Sequence, residues 1–260
     1  MITLRPDQSR LQADTFQAWR DGHKAVVTVL PTGGGKSVIV SDTARIFDDN
    51  RDDVLVMAHR QELVGQMSLH LGRQAIRHRI LAPQAVVRSI TAEHRREFAG
   101  NCYVNPSARA SVGGVDTILS RANTELSDTL KRARFVCSDE GHHVLRDNKW
   151  GKALALMPNA LIMLPTASPS RADGRGLGLH ADGIATHMNI GPDMRWLIDQ
   201  RSLCDYEIIC PKTDFDRGNL VIGASGEATP ASMARESERS RIVGDVVEQY
   251  TLNAWGKRTV

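Results

Sequence analysis

At 260 residues, with 41% hydrophobic and 24% charged side chains, the chain is long enough to bury a sizeable core and fits one large domain or one domain with appendages. No apolar stretch approaches the length that spans a bilayer and the polar opening Thr3-Leu4-Arg5-Pro6-Asp7 is no secretory signal, so no membrane partner and a cytoplasmic location are expected. A net charge of +3 and a pI near 8.8 are compatible with a polyanionic partner without requiring one. Cys102, Cys137, Cys204 and Cys210 are far apart and form no C-x-x-C pair, which points to incidental thiols rather than a zinc knuckle or a disulfide framework.

In chain order, Pro6 to Arg20 carries apolar residues at Leu11, Phe16 and Trp19 with Gly22 beyond, the pattern of an amphipathic helix with a glycine stop. The β-branched run Ala25 to Val29 reads as a buried strand. It leads directly into Leu30-Pro31-Thr32-Gly33-Gly34-Gly35-Lys36-Ser37, after which Ser37 to Phe47 continues as a helix. A strand that ends in such a turn and restarts as a helix aims backbone N–H groups and a helix N-terminus at one spot, where a polyphosphate supplies the missing partners. Gly33, Gly34 and Gly35 permit close backbone approach, Lys36 is placed to reach the terminal phosphates, and the Ser37 hydroxyl is placed to join the shell of a Mg²⁺ ion. Leu30 stands where the usual pattern opens with glycine, so a plain glycine-rich turn is the competing reading.

The acidic stretch Asp48 to Asp53 makes a turn, and Val54 to Ala58 reads as a second buried strand. A helix from about Gln61 to Leu71 follows, then a second helix after Pro83 with Val86, Val87, Ile90 and Phe98 on its apolar face. Ala110 to Val115 is a weaker strand; Phe135 to Cys137 and Ala160 to Leu164 have the short apolar form of parallel strands buried on both faces; Tyr206 to Cys210 is a candidate last strand. This alternation predicts an α/β fold with a doubly wound parallel sheet whose ligand groups gather at the carboxyl ends of the strands. Residues 223–231 have linker composition, and Thr229-Pro230 can start a helix carrying Ile242, Val243, Val246, Val247 and Tyr250, so the expected division is 1–222 and 223–260.

Directly after the strand Phe135 to Cys137 stands Asp139-Glu140-Gly141-His142-His143. A nucleoside-triphosphatase needs one carboxylate to hold Mg²⁺ and another to orient and polarise the attacking water, roles that suit Asp139 and Glu140. A metal site built from these acids with His142 and His143 is the alternative, and it lacks the H-E-x-x-H spacing of a zinc hydrolase. Arg73, Arg77, His78 and Arg79, with Arg95 and Arg96, form basic clusters that read first as a solvated helix face.

In this order the motifs resemble those of the first motor domain of a superfamily-two helicase of the DExH type, including phage, bacterial and restriction-enzyme-type motors. Leu30 to Ser37 resembles motif I, Val54 to Gln66 motif Ia, Asp139 to His143 motif II, and Thr166-Ala167-Ser168-Pro169 motif III. Leu4-Arg5-Pro6-Asp7-Gln8 is similar to the upstream segment that recognises adenine. The departures are Leu30, Gly141 where alanine is common, and Ser168 where threonine is frequent. The resemblance implies a RecA-like P-loop NTPase domain that binds ATP through Arg5, Gln8 and Pro31 to Ser37, holds Mg²⁺ with Ser37 and Asp139, and uses Lys36, Asp139, Glu140 and His142 in catalysis. It implies further that Thr166 and Ser168 couple the nucleotide site to a DNA or RNA track contacted by Arg60 and the Asp116-Thr117 region. Such motors close their site with arginines of a second RecA-like domain. The motifs of that domain do not occur in these 260 residues, and Gly256 to Val260 resembles the turn and first residues of its opening strand. The expectation is therefore a truncated or split ATP-dependent helicase or translocase, weakly active without its second half. A nucleotide- or nucleic-acid-binding regulatory module and an unrelated P-loop kinase or transferase are the alternatives.

Overall fold

The structure, a computed structural model, describes residues 2–58, 60–123, 126–171, 174–208, 215–223, 228–239 and 242–256, with backbone alone at 242–246. The chain divides into two compact units, Met1–Cys204 and Asp205–Val260.

The first unit is a seven-stranded sheet in the order β3-β4-β2-β5-β6-β1-β7, every pair parallel. Its strands are β1 (Ala25–Val29), β2 (Asp53–Ala58), β3 (His78–Leu81), β4 (Ala110–Gly114), β5 (Ala133–Ser138), β6 (Leu161–Thr166) and β7 (His187–Ile190). Helix α1 (Pro6–Arg20) precedes β1; between the strands run α2 (Lys36–Asp49), α3 (Gln61–Arg73), α4 (Gln84–Glu97), α5 (Val115–Arg121), α6 (Ser127–Arg132) and α7 (Lys149–Ala155), with α8 (Met194–Asp199) after β7.

Because strand side chains alternate, the apolar runs serve two cores at once. Val26, Val54, Val56, Phe135, Cys137 and Met163 face one core with residues of α1 to α4. Val27, Leu55, Met57, Val136, Ile162 and Leu164 face the other with residues of α5 to α7. Helices on both faces make the sheet doubly wound, as the alternation of elements predicts. In the first core Phe135 stacks on Phe47 at 4.9 Å, and Trp19 meets both rings edge-on at 6.0 and 6.1 Å.

Several expectations need correction. Tyr206 to Ile208 is not a strand, and Ile209 and Cys210 lie outside the described residues; among the described residues the last strand is β7, whose His-Met-Asn-Ile has too little apolar content to stand out. Strand β3 lies between the two helices expected in sequence. It places His78 in the interior at 0% exposure, so His78 leaves the basic cluster, and Arg79 bonds Ser111 Oγ from the same strand. Arg73, on α3, pairs with Glu97 of α4 at 2.8 Å.

In the second unit, α9 (Pro230–Arg239) and α10 (Ile242–Asn253) occupy the expected helical stretch, residues 240 and 241 lying outside the described ones. Residues before position 223 pack with residues inside and after the stretch of linker composition: Ile222 bridges Ala228, and Glu236 accepts from Asp216 N at 3.0 Å and Asn219 Nδ2 at 3.1 Å. These bonds explain why the contact boundary falls at Cys204/Asp205, ahead of the compositional one at 222/223. Among the described residues, no helix is long and apolar enough to cross a membrane.

Candidate functional site

The loop from Leu30 to Ser37 leaves the carboxyl end of β1 and enters α2 through Gly35, whose φ of +92° is left-handed. A Cβ there would also collide with the Gln8 amide. Gly34 N donates to Pro31 O at 2.9 Å, closing the turn. Lys36 Nζ folds back over it, 3.2 Å from Leu30 O and 3.5 Å from Pro31 O, so the loop's own carbonyls hold the ammonium. Thr32 and Gly33 are exposed, while Pro31, Gly35, Lys36 and Ser37 are half-buried.

The segment before α1 clamps this loop. Arg5 pairs with Asp7 through two bonds of 3.1 and 2.9 Å and donates from the same guanidinium to Gly34 O at 2.9 Å. Gln8, 2% exposed, donates to Gly34 O at 3.0 Å and accepts from Arg5 N at 3.0 Å. Both ends of its amide are thus engaged with protein.

Two strands away, β5 ends in the acidic pair. Asp139 N is held by Met57 O of β2 at 3.0 Å, and Asp139 Oδ1 accepts from Glu140 N at 3.0 Å. Glu140 itself takes a left-handed φ of +54°, a costly conformation for a residue with a Cβ and one that turns its carboxylate out of line with the strand. Gly141 follows because a Cβ there would come within 2.7 Å of Leu164 Cβ and 2.8 Å of Leu164 O, which gives the departure from alanine a steric reason. The His142 Nδ1–H is shared between Thr166 Oγ1 at 2.9 Å and Glu140 Oε2 at 3.3 Å; the Thr166 hydroxyl donates onward to Ser168 O and accepts from Ser168 N. Motifs II and III are therefore joined through one imidazole.

Electrostatics bind the two loops together. Burial lowers the Lys36 pKa while the Glu140 and Asp139 carboxylates oppose that shift. The Asp139 carboxyl is raised, first by burial and then by Glu140, against the Glu140 N–H and Lys36. A half-desolvated carboxylate and ammonium facing one space are stabilised by any ligand that brings a cation to the first and phosphate to the second. The oxygen donors of Ser37 and Asp139 suit Mg²⁺ rather than a softer metal. Among the described residues, no cluster of three or more His, Cys, Asp or Glu side chains forms a metal site of its own.

The remaining expected residues lie along the same carboxyl edge. Arg60, exposed at the start of α3, lines one cleft with Glu62, Leu63, Glu140, His142 and His143. His59 lies outside the described residues. Thr117 sits half-buried on α5, and its neighbour Asp116 pairs with Lys149 of α7 at 2.9 Å. Other contributors escaped sequence reading. Leu203 packs over Gly33, with nothing in its local pattern to betray it. Asn148 caps α7, accepting from Trp150 N and Gly151 N, and its position ahead of a helical run was a readable capping signal.

Residues 1–171 match the family model described as type III restriction enzyme, res subunit. The 51.5 kDa protein of Lactococcus phage (isolate 7-9) is 23% identical over 232 residues, 88% of this chain and 42% of that protein, so the chain spans less than half the length of this curated relative. Among solved structures, the UvsW helicase from bacteriophage T4 aligns at a TM-score of 0.52 with 14% identity, over 73% of this chain and 60% of that one. A nuclease-deletion mutant of the Type ISP restriction-modification enzyme LlaGI, in complex with a DNA substrate mimic, aligns at 0.50 with 12% identity, over 77% of this chain and 21% of that one. With a match over more than half its length and the motif order on the matching sheet, the chain belongs to the type III restriction enzyme res subunit family and carries the N-terminal motor domain of a superfamily-two helicase.

Proposed function

We propose that the chain is the ATP-binding half of a nucleic-acid helicase or translocase, and that DNA is its track. The observation that carries this reading is the placement of the Lys36 loop and the Asp139–Glu140 pair at the carboxyl ends of β1 and β5, separated only by β6 in one parallel sheet. In this reading Lys36 leaves the carbonyls of Leu30 and Pro31 for the terminal phosphates, and the backbone N–H groups from Gly33 to Ser37 cradle the rest. Ser37 and Asp139 hold Mg²⁺, which when bound neutralises phosphate charge. Glu140 orients the attacking water and receives its proton, while the His142–Thr166–Ser168 chain reports the state of that carboxylate to the edge where Arg60 and Thr117 meet the sugar-phosphate backbone. Arg5 and Gln8 set the cradle at its nucleoside end. The DNA substrate mimic of the LlaGI structure supports DNA as the polymer class.

Turnover is proposed to need arginines from a second RecA-like domain, a contribution worth about 10³ to 10⁵ in rate, with residues 223–260 leading toward it. Lys36→Ala is expected to weaken fluorescent-ATP binding by roughly a hundredfold, the scale of a lost charge-assisted phosphate contact, without a comparable fall in melting temperature. Unchanged affinity in that titration would overturn the assignment of the cradle.

A further inference from the structure

Beyond the nucleotide site, the carboxyl edge carries an aromatic and cationic cluster that the mechanism above leaves unused. His143 is exposed, and its ring stacks on Trp150 with centroids 5.7 Å apart and an interplanar angle of 23°. Lys149 Nζ lies 4.7 Å from the Trp150 ring centroid and pairs with Asp116 at 2.9 Å. The His142 ring is 4.2 Å from that of His143. Asn148 rigidifies the corner from both sides, donating to His143 O at 2.7 Å and capping α7 through Trp150 N and Gly151 N at 3.1 and 3.2 Å. The Lys149–Asp116 pair joins this segment after β5 to α5, the helix that follows β4 directly. The stack lies between the cleft that holds Arg60 and the helix that carries Thr117.

We propose that the His143–Trp150–Lys149 stack is a base-contacting platform for a single nucleic-acid strand, a role that rests on the translocase reading above and adds to its backbone contacts a contact with the bases. Aromatic faces beside cations are the surface on which unpaired bases stack, because every base offers a π-face whatever its identity. Imidazole is a flat ring of low conformational freedom, and here Trp150 packs against it while Asn148 fixes the backbone carbonyl of His143, so little entropy is lost on binding. His143 is exposed at the rim of the cleft that Arg60 also lines.

The test compares a fluorescein-labelled oligo-dT strand with an abasic strand of the same length and charge, by anisotropy. The unaltered protein is expected to bind the abasic strand about tenfold more weakly, the scale of one stacked base. His143→Ala and Trp150→Ala should erase that difference, Trp150→Phe should keep most of it, and Arg60→Ala should weaken both strands alike. Because His143 is exposed, His143→Ala tests the platform even where Trp150→Ala fails to fold. A full abasic penalty in His143→Ala, or none in the unaltered protein, overturns the platform alone. Failure of the unaltered protein to bind either strand overturns the translocase reading and the platform with it.

Discussion

Two corners of the same sheet handle buried polar groups in opposite ways. At the ends of β1 and β5, Lys36 and Asp139 are pushed toward neutrality by burial and find only partial relief in protein. At the β3 edge, three interior side chains are satisfied by one another and by two backbone groups. Tyr103 N donates to His94 Nδ1 at 3.4 Å, so His94 donates from Nε2 to Ser68 Oγ at 2.8 Å. The Ser68 hydroxyl must then donate to His78 Nε2 at 2.7 Å, and His78 Nδ1–H donates to Ile76 O at 2.9 Å. Every proton in this chain has one place, and both imidazoles are neutral. Burial lowers the pKa of both, that of His78 to about 4. The first corner stores an unmet need that the proposed nucleotide would fill, and the second is a finished structural joint between α3, β3 and α4.

The sharpest break of this comparison separates activity from stability. Glu140→Gln is expected to lower turnover of ATP by about 10² to 10⁴ while leaving fluorescent-ATP binding and the melting temperature close to those of the unaltered protein; the site assignment fails if steady-state turnover survives. Acid should do the reverse, attacking the histidine joint. The folded-state pKa of His78 lies below the ordinary imidazole value of 6.5, so the unfolded chain binds the extra proton first. The stability it protects is whole above pH 6.5 and is lost as pH falls toward 4, by about 3 kcal/mol. His94 and His70 move in the same direction, and the raised Asp139 carboxyl opposes them by gaining stability on protonation. Urea midpoints across that interval, with β3 followed by amide exchange, would show whether the joint opens as the imidazoles charge; a flat midpoint contradicts the proton assignment. Ser68→Ala is the smallest of the three perturbations, leaving one imidazole donor and one acceptor unpaired at about 1 to 3 kcal/mol. It should lower the melting temperature without touching ATP affinity.

How much of this was legible in the sequence depended on how local its cause is. Ala25 to Val29, Phe135 to Cys137 and Ile162 to Leu164 are buried on both faces, and an apolar run states that directly. Strands β3 and β7 lie at the two edges of the sheet, where burial is incomplete or shared with polar groups, so His-Arg-Ile-Leu and His-Met-Asn-Ile carry little pattern to read. At the site, Lys36, Asp139 and Glu140 were visible because phosphate chemistry demands those residue types beside glycine and a strand end. Leu203 over Gly33 and the engagement of both ends of the Gln8 amide depend on contacts between segments far apart in the chain.

By itself the sequence determined the α/β alternation, the cradle from Leu30 to Ser37, the acidic pair and the order of the motifs, because each rests on residue type and spacing within a few turns of chain. Only the tertiary structure decided that His78 is a core residue sealed by Ser68 and His94, and that His142 shares one proton between Glu140 and Thr166. It alone placed Trp150 beneath an exposed histidine at the edge of the cleft. Those outcomes turn on which strands become neighbours, and parallel pairing across a sheet joins residues whose separation in sequence carries no local signal.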